Sequence, residues 1–151
     1  MYEGPFGGML RRLKRVSVFS CVTTCVSIPL LSLYGNPDMS LVQRASVGVA
    51  ALFFAVGTTA TLTWVSKPYI WRMFQHHNKS LELHSFNMLG RLKVTTLENG
   101  LADIKPCSER AFVNLMTPKN DKFYVHEELD CYADEQFYDS VIKAAKIKVL
   151  N

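Results

Sequence analysis

The residues best suited to chemistry are histidines, cysteines and a run of carboxylates late in the chain. The four histidines are His76, His77, His84 and His126. Zinc sites need several nitrogen or sulfur ligands brought together. Adjacent histidines on a strand point to opposite faces, and no thiol or carboxylate stands at ligand spacing from these four. We therefore expect them to be structural or exposed, and we expect no metal and no cofactor.

The thiols and carboxylates do not form a recognisable catalytic pattern. None of the four cysteines belongs to a CxxC motif, and neither Cys107 nor Cys131 has an obvious neighbouring base. The acidic run lacks the spacing of a calcium-binding loop, and no glycine-rich phosphate loop is present. The acidic run consists of Glu127, Glu128, Asp130, Asp134 and Glu135. The sequence thus predicts a protein that is not an enzyme.

Two apolar stretches organise the rest of the chain. They run from Val16 to Tyr34 and from Ala45 to Ser66, and neither contains a charged residue. The break at Gly35 to Asp38 separates them. Each is about as long as the ~20 residues that a helix needs to cross a bilayer. We predict a hairpin of two transmembrane helices. Ion conduction is not expected, because no ionisable group lies within either stretch.

Cations flank the predicted hairpin on both outer sides. They are Arg11, Arg12, Lys14 and Arg15 before the first stretch, and Lys67 and Arg72 after the second. Cationic flanks resist translocation and meet anionic headgroups, so both termini are expected on one face, the cytoplasm of a bacterium or the matrix of a mitochondrion. Phospholipid is therefore an expected partner.

Small residues recur every fourth position on both predicted helices. They are Ser17, Cys21 and Cys25 on the first, and Ala51, Ala55, Thr59 and Thr63 on the second. Small side chains let membrane helices approach closely, so these residues are predicted to face each other. Leu52, Phe53, Phe54 and Val56 are predicted on the opposite side, facing lipid or a partner. Pro29 is expected to kink or end the first helix.

Residues 67–151 read as a small soluble α+β domain, after a basic lead at 1–15 and the hairpin at 16–66. Leu81 to Phe86 and Leu92 to Leu97 alternate apolar and polar residues, which is typical of half-buried strands. Further strands are predicted at Ala111 to Met116 and Phe123 to Val125, and Asp134 is predicted to cap a final helix. The expected fold class is a membrane α-helical hairpin followed by an antiparallel sheet with a C-terminal helix.

This order of parts resembles the transmembrane protein 70 family, with its relatives transmembrane proteins 186 and 223. The order begins with Tyr2-x-Gly4 before the basic run, and the resemblance covers nearly the whole chain. It is carried by the hairpin architecture and by two short motifs, Ser66-Lys67-x-Tyr69-x-x-Arg72 and Lys122-Phe123-Tyr124-Val125. Pro68 at the exit of the second helix departs from the family pattern, and no organelle presequence is recognisable.

The resemblance implies a mitochondrial inner-membrane protein with both termini in the matrix. It further implies a non-catalytic assembly factor whose partners are membrane subunits of the ATP synthase c ring or respiratory complex I. A permanent accessory subunit of a respiratory-chain complex is the alternative, since it would use the same parts. Self-association is left open, and nucleic acid is not an expected partner.

Overall fold

The computed structural model describes residues 1–34, 40–107 and 112–146, and the predicted break at 35–38 lies outside them. Two long apolar helices are followed by a four-stranded antiparallel sheet and a C-terminal helix. The predicted fold class is thereby confirmed. Both helices are long and apolar enough to span a bilayer, which is compatible with a membrane protein.

The first helix, α1, runs over Gly7–Tyr34, and the second, α2, over Leu41–Ser66. Because α1 begins well before Val16, the cationic run forms its first turns rather than a separate lead. Pro29 lies inside α1 and does not end it. A capping box lies at the start of α2. Ser40 Oγ accepts a hydrogen bond from the backbone N–H of Gln43, and the Gln43 side-chain oxygen accepts one from the backbone N–H of Ser40.

The main sheet contains β1 (Tyr2–Glu3), β2 (Ile70–Gln75), β3 (Leu81–Phe86) and β4 (Leu92–Leu97), in that spatial order. All neighbours are antiparallel. The bounds of β3 and β4 are those predicted from the alternating pattern. Gly90 lies in the turn between them with a φ of 66°, a left-handed conformation that glycine adopts without steric cost.

The strands predicted beyond residue 110 form a separate small sheet. It consists of β5 (Lys105–Pro106), β6 (Leu115–Met116) and β7 (Lys122–Phe123). Ala111, the predicted start of one strand, lies outside the described residues, and within them both strands are shorter than predicted. The side chain of Asn114 bonds the backbone that a longer ladder would use. Its Oδ1 accepts from the Val125 N–H at 3.0 Å and its Nδ2 donates to the Val125 carbonyl at 2.7 Å.

The C-terminal helix, α3, spans Glu135–Lys146. Asp134 caps it as predicted, with Oδ1 accepting from the Gln136 N–H at 3.1 Å. Phe137 and Val141 face the core and are almost completely buried. This apolar stripe covers the core beside the two sheets.

The first residues of the chain belong to the folded domain, which corrects the prediction of a basic lead over 1–15. Tyr2 is fully buried, pairs with Met73 on β2 and packs its ring 4.9 Å from that of Tyr132. A strand of two residues is too short to show an alternating pattern, so the sequence did not reveal it. The hairpin is therefore an insertion between two neighbouring strands of one sheet.

Candidate functional site

The two long helices contact each other through small and polar side chains. The hydroxyl oxygens of Ser17 and Thr59 lie 2.9 Å apart, and Thr59 Oγ1 also donates to the Ser17 carbonyl at 3.3 Å. On α2, the predicted packing residues Ala51, Ala55, Thr59 and Thr63 are all half-buried, and Gly48 is buried. Hydrogen bonds of this kind hold helices together where lipid provides no hydrophobic driving force.

On α1 the contact follows a different path from the predicted one. Ser17 and Cys21 are half-buried, whereas Cys25 is exposed and Thr24 is half-buried. Steps of three and four residues follow the 3.6-residue helical period more closely than uninterrupted steps of four. The assignment of Cys25 to the helix contact is therefore corrected.

The outward side of α2 is apolar and open. Phe53 and Phe54 are 76% and 69% exposed, and Val56 is also exposed, whereas Leu52 is half-buried. The two phenylalanines border a groove of about 560 Å³, here called the outer groove. It is lined by Phe53, Phe54, Gly57, Thr58, Thr61, Leu62 and Val65. A Cβ added at Gly57 would meet no atom within 4 Å, so the groove is open above the glycine.

The flanking cations divide into two groups. Arg11, Arg12, Arg15 and Lys67 are exposed. Arg72 instead belongs to the main sheet, where it forms an ion pair of 2.7 Å with Glu3 and lies 4.3 Å above the Trp71 ring centroid. Trp71 itself stacks on Phe86 with centroids 5.2 Å apart.

Lys14 points into the protein, unlike its neighbours in the cationic run. Only 1% of its surface is exposed, and its Nζ donates to the carbonyls of Phe86 at 3.0 Å and Asn87 at 3.3 Å. These carbonyls lie at the end of β3. Lys14 therefore fastens α1 to the main sheet, and the expectation that it lies on an outward headgroup surface is corrected.

The start of α1 is fitted closely to β2. Gly4 N–H donates to the Trp71 carbonyl at 2.6 Å, and a Cβ added at Gly7 would overlap the Trp71 indole. Glycine is required at position 7 because the indole occupies the space of a side chain. The hairpin and the sheet are thus joined by packing as well as by the chain.

An apolar cavity of about 310 Å³ lies where the hairpin meets the two sheets. The rings of Phe6, Tyr69 and Tyr124 surround His126 with centroids 5.2 to 5.7 Å from its own. His126 Nε2 is buried, and among the described residues it has no hydrogen-bond partner. Burial raises the pKa of Tyr69 and of Tyr124, so both phenols are neutral at physiological pH. The cavity suits an apolar group.

A second cavity at the junction, here called the lysine cleft, has a volume of about 490 Å³ and a lining of both charged and apolar side chains. Its charged lining residues are Lys14, Lys67, Lys93, Lys122 and Asp121. Thr63 of α2 and Met88 of the β3–β4 turn also line it. Lys93 and Lys122 could not be recognised from the sequence, because only folding brings the ends of β4 and β7 beside the hairpin.

The residues considered first for chemistry are dispersed. His76 and His84 both lie against Glu82, at 3.2 and 3.5 Å, a grouping that the sequence spacing did not suggest. In the described ranges, no three histidine, cysteine or acidic side chains are placed to hold a metal ion. Cys107 is buried, and burial raises the pKa of the Cys131 thiol, which keeps it protonated.

Comparison with known proteins identifies a relative in fission yeast. No family model matches the chain. The Schizosaccharomyces pombe protein named Uncharacterized protein C1834.10c is 30% identical over 133 residues, which cover 85% of this chain and 74% of the yeast protein. A match of this length includes parts of both the hairpin and the sheet domain.

Proposed function

The chain belongs to the same family as the Schizosaccharomyces pombe protein C1834.10c, and we propose that it is a non-catalytic scaffold for assembling respiratory-chain or ATP synthase complexes. The observation that carries the proposal is the outer groove of α2. The groove has open space above Gly57 and is bordered by the rings of Phe53 and Phe54, which suits the close approach of a partner helix within a membrane. The resemblance to the transmembrane protein 70 family supports membrane subunits of the c ring or complex I as clients.

The placement we propose is the mitochondrial inner membrane with both termini in the matrix. The insertion of the hairpin between β1 and β2 supports a common side for its two ends. The exposed cations Arg11, Arg12, Arg15 and Lys67 support the negatively biased face as that side.

Protease added to mitochondria with a ruptured outer membrane tests this orientation. The domain after Lys67 should survive until detergent is added, and its digestion before that would contradict the matrix placement. A protein of the intermembrane space and a known matrix protein serve as the two controls.

The docking role is tested by filling the outer groove. Gly57→Leu should remove the space for a partner helix, whereas Val47→Leu changes a 63% exposed residue outside the groove lining. We expect the first variant to lose co-purification of membrane subunits with the tagged chain and the second to retain it. Equal recovery of the subunits with both variants would contradict docking in the groove.

A permanent accessory subunit is the second candidate, since fixed attachment would use the same groove. Native gels of solubilised membranes separate the two. Enrichment of the chain in small subassemblies supports the scaffold, whereas co-migration of most of it with a mature complex supports the accessory subunit.

A further inference from the structure

Lys14 is a buried cation without a counter-ion among the described residues. Its ammonium group has three donors, and the carbonyls of Phe86 and Asn87 accept from it. The ion pairs of the described residues do not include it. A buried charge is costly unless an opposite charge and hydrogen bonds compensate it. An anion at this point would compensate the charge and accept from the donor that the two carbonyls leave.

The lysine cleft provides a place for such an anion. Lys67 and Lys93 are exposed at the cleft, and Lys122 is half-buried in its wall. Asp121 is the single carboxylate among the described lining residues, against four lysines including Lys14. The described lining residues thus carry more cations than anions, and the exposed ammonium groups of Lys67 and Lys93 are accessible to a ligand.

The cleft lies at the border between apolar and polar parts of the chain. Thr63 belongs to the last turns of α2, and Lys14 lies two residues before the apolar part of α1. Met88, which is 56% exposed, extends apolar surface along the same cleft. A ligand here would meet ammonium groups and the apolar side chains of Phe86, Met88 and Val113, beside the point where both helices continue into their apolar runs.

We propose that the lysine cleft binds the phosphate group of an anionic phospholipid, whose acyl chains lie along the hairpin. Phosphate oxygens would accept from the lysine ammonium groups in charge-assisted hydrogen bonds. The apolar border favours a lipid over free phosphate as the source. The inference rests on the membrane placement of the hairpin, and it is independent of the compartment and of the client.

The test uses the full chain in a non-ionic detergent, with phosphatidylglycerol and phosphatidylcholine of matched acyl chains added in equal amounts. Native mass spectrometry then reports which lipid is retained. We expect preferential retention of phosphatidylglycerol. The double variant Lys67→Gln/Lys93→Gln, which changes only exposed residues, should weaken it by about fivefold for each lysine removed.

Lys143→Gln is the matched control, because Lys143 is exposed on α3 and does not line the cleft. It should retain the full preference. Lys14→Gln tests the contribution of the buried lysine and should also lose phosphatidylglycerol. Circular dichroism verifies that this variant folds. Equal retention of both lipids by the native chain, or an unchanged preference in the double variant, would overturn the proposal.

Two further arms separate the alternatives. If inorganic phosphate at the same concentration as the lipid displaces phosphatidylglycerol completely, free phosphate is the better ligand and the lipid assignment is overturned. Flotation with vesicles of phosphatidylcholine tests the membrane placement separately, since it does not require the cleft. Failure to float, with lysine-dependent retention of phosphatidylglycerol intact, would contradict the placement and uphold the phosphate site.

Discussion

The phenol oxygen of Tyr2 accepts a hydrogen bond from the backbone N–H of His126 at 3.1 Å, across 124 positions of the sequence. Nearby, the Ala133 N–H donates to the carbonyl of Met1 at 3.0 Å. The last third of the chain thus closes over its first residues. Closing so long a loop costs conformational entropy, which these buried contacts offset.

Truncating Tyr2 should therefore destabilise the domain. Tyr2→Ala removes a fully buried ring, and such a change in a core costs about 3–5 kcal/mol. We expect a clear drop in the denaturant midpoint of the detergent-solubilised chain, followed by near-ultraviolet circular dichroism. Tyr34→Ala is the control, since Tyr34 is 85% exposed, and its midpoint should stay unchanged. Equal shifts in both variants would show that Tyr2 does not support the core.

Gly7 and Gly8 provide a pair of neighbouring glycines with opposite expected effects. In Gly7→Ala the new methyl group would overlap the Trp71 indole, and overpacking of this kind costs about 1–3 kcal/mol. A Cβ at Gly8 meets no atom within 4 Å, so Gly8→Ala should gain up to about 1 kcal/mol from helix propensity. Thermal unfolding measures the change in stability of both variants.

The emission of Trp71, in a Trp64→Phe background, gives a local check on the same pair. It should shift in Gly7→Ala alone, because the indole must move to admit the methyl group. An unperturbed indole together with unchanged stability in Gly7→Ala would refute the close fit of α1 against β2.

The buried tyrosines predict unfolding at alkaline pH. Burial raises the pKa of Tyr2 and of Tyr132 above the ordinary value of ~10, because the phenolate would lose its hydration. The folded chain thus holds these protons more tightly than the unfolded chain. Their contribution to stability is complete below ~pH 10 and is lost as the pH rises through the raised pKa values.

A pH titration should show this as two phases of tyrosinate absorbance. The later phase should coincide with the loss of near-ultraviolet circular dichroism, since buried phenols ionise only when the domain opens. A tyrosinate signal that is complete while the dichroism is intact would contradict the burial of these rings.

Local patterns were sufficient to predict much of the fold. The alternation in β3 and β4 and the apolar stripe of α3 are properties of consecutive residues, so each could be recognised without knowing its neighbours. The hairpin was predictable for the same reason, since length and lack of charge define it. The cap at Asp134 followed from its position just before the stripe.

The remaining features depend on contacts between distant segments. No pattern near Lys14 distinguishes it from Arg11, Arg12 and Arg15, because its inward direction is set by the carbonyls at the end of β3. Trp71 lies close to the end of α2, but its stack on Phe86 places it in the domain. The lysine cleft also depends on contacts between segments that are distant in the sequence.

The hydroxyl pair of Ser17 and Thr59 predicts which cysteine substitutions can be cross-linked across the hairpin. In a chain with Cys21 and Cys25 replaced by serine, Ser17→Cys/Thr59→Cys should form an intramolecular disulfide under mild oxidation, because these side chains touch at 2.9 Å. Val16→Cys/Ala60→Cys is the matched control: each position adjoins the first pair in sequence, but both residues are exposed. Mass spectrometry of peptides should find the disulfide only in the first variant. Efficient cross-linking of the control alone would mean that the helices face each other through different sides, and the outer groove would then lose its outward position.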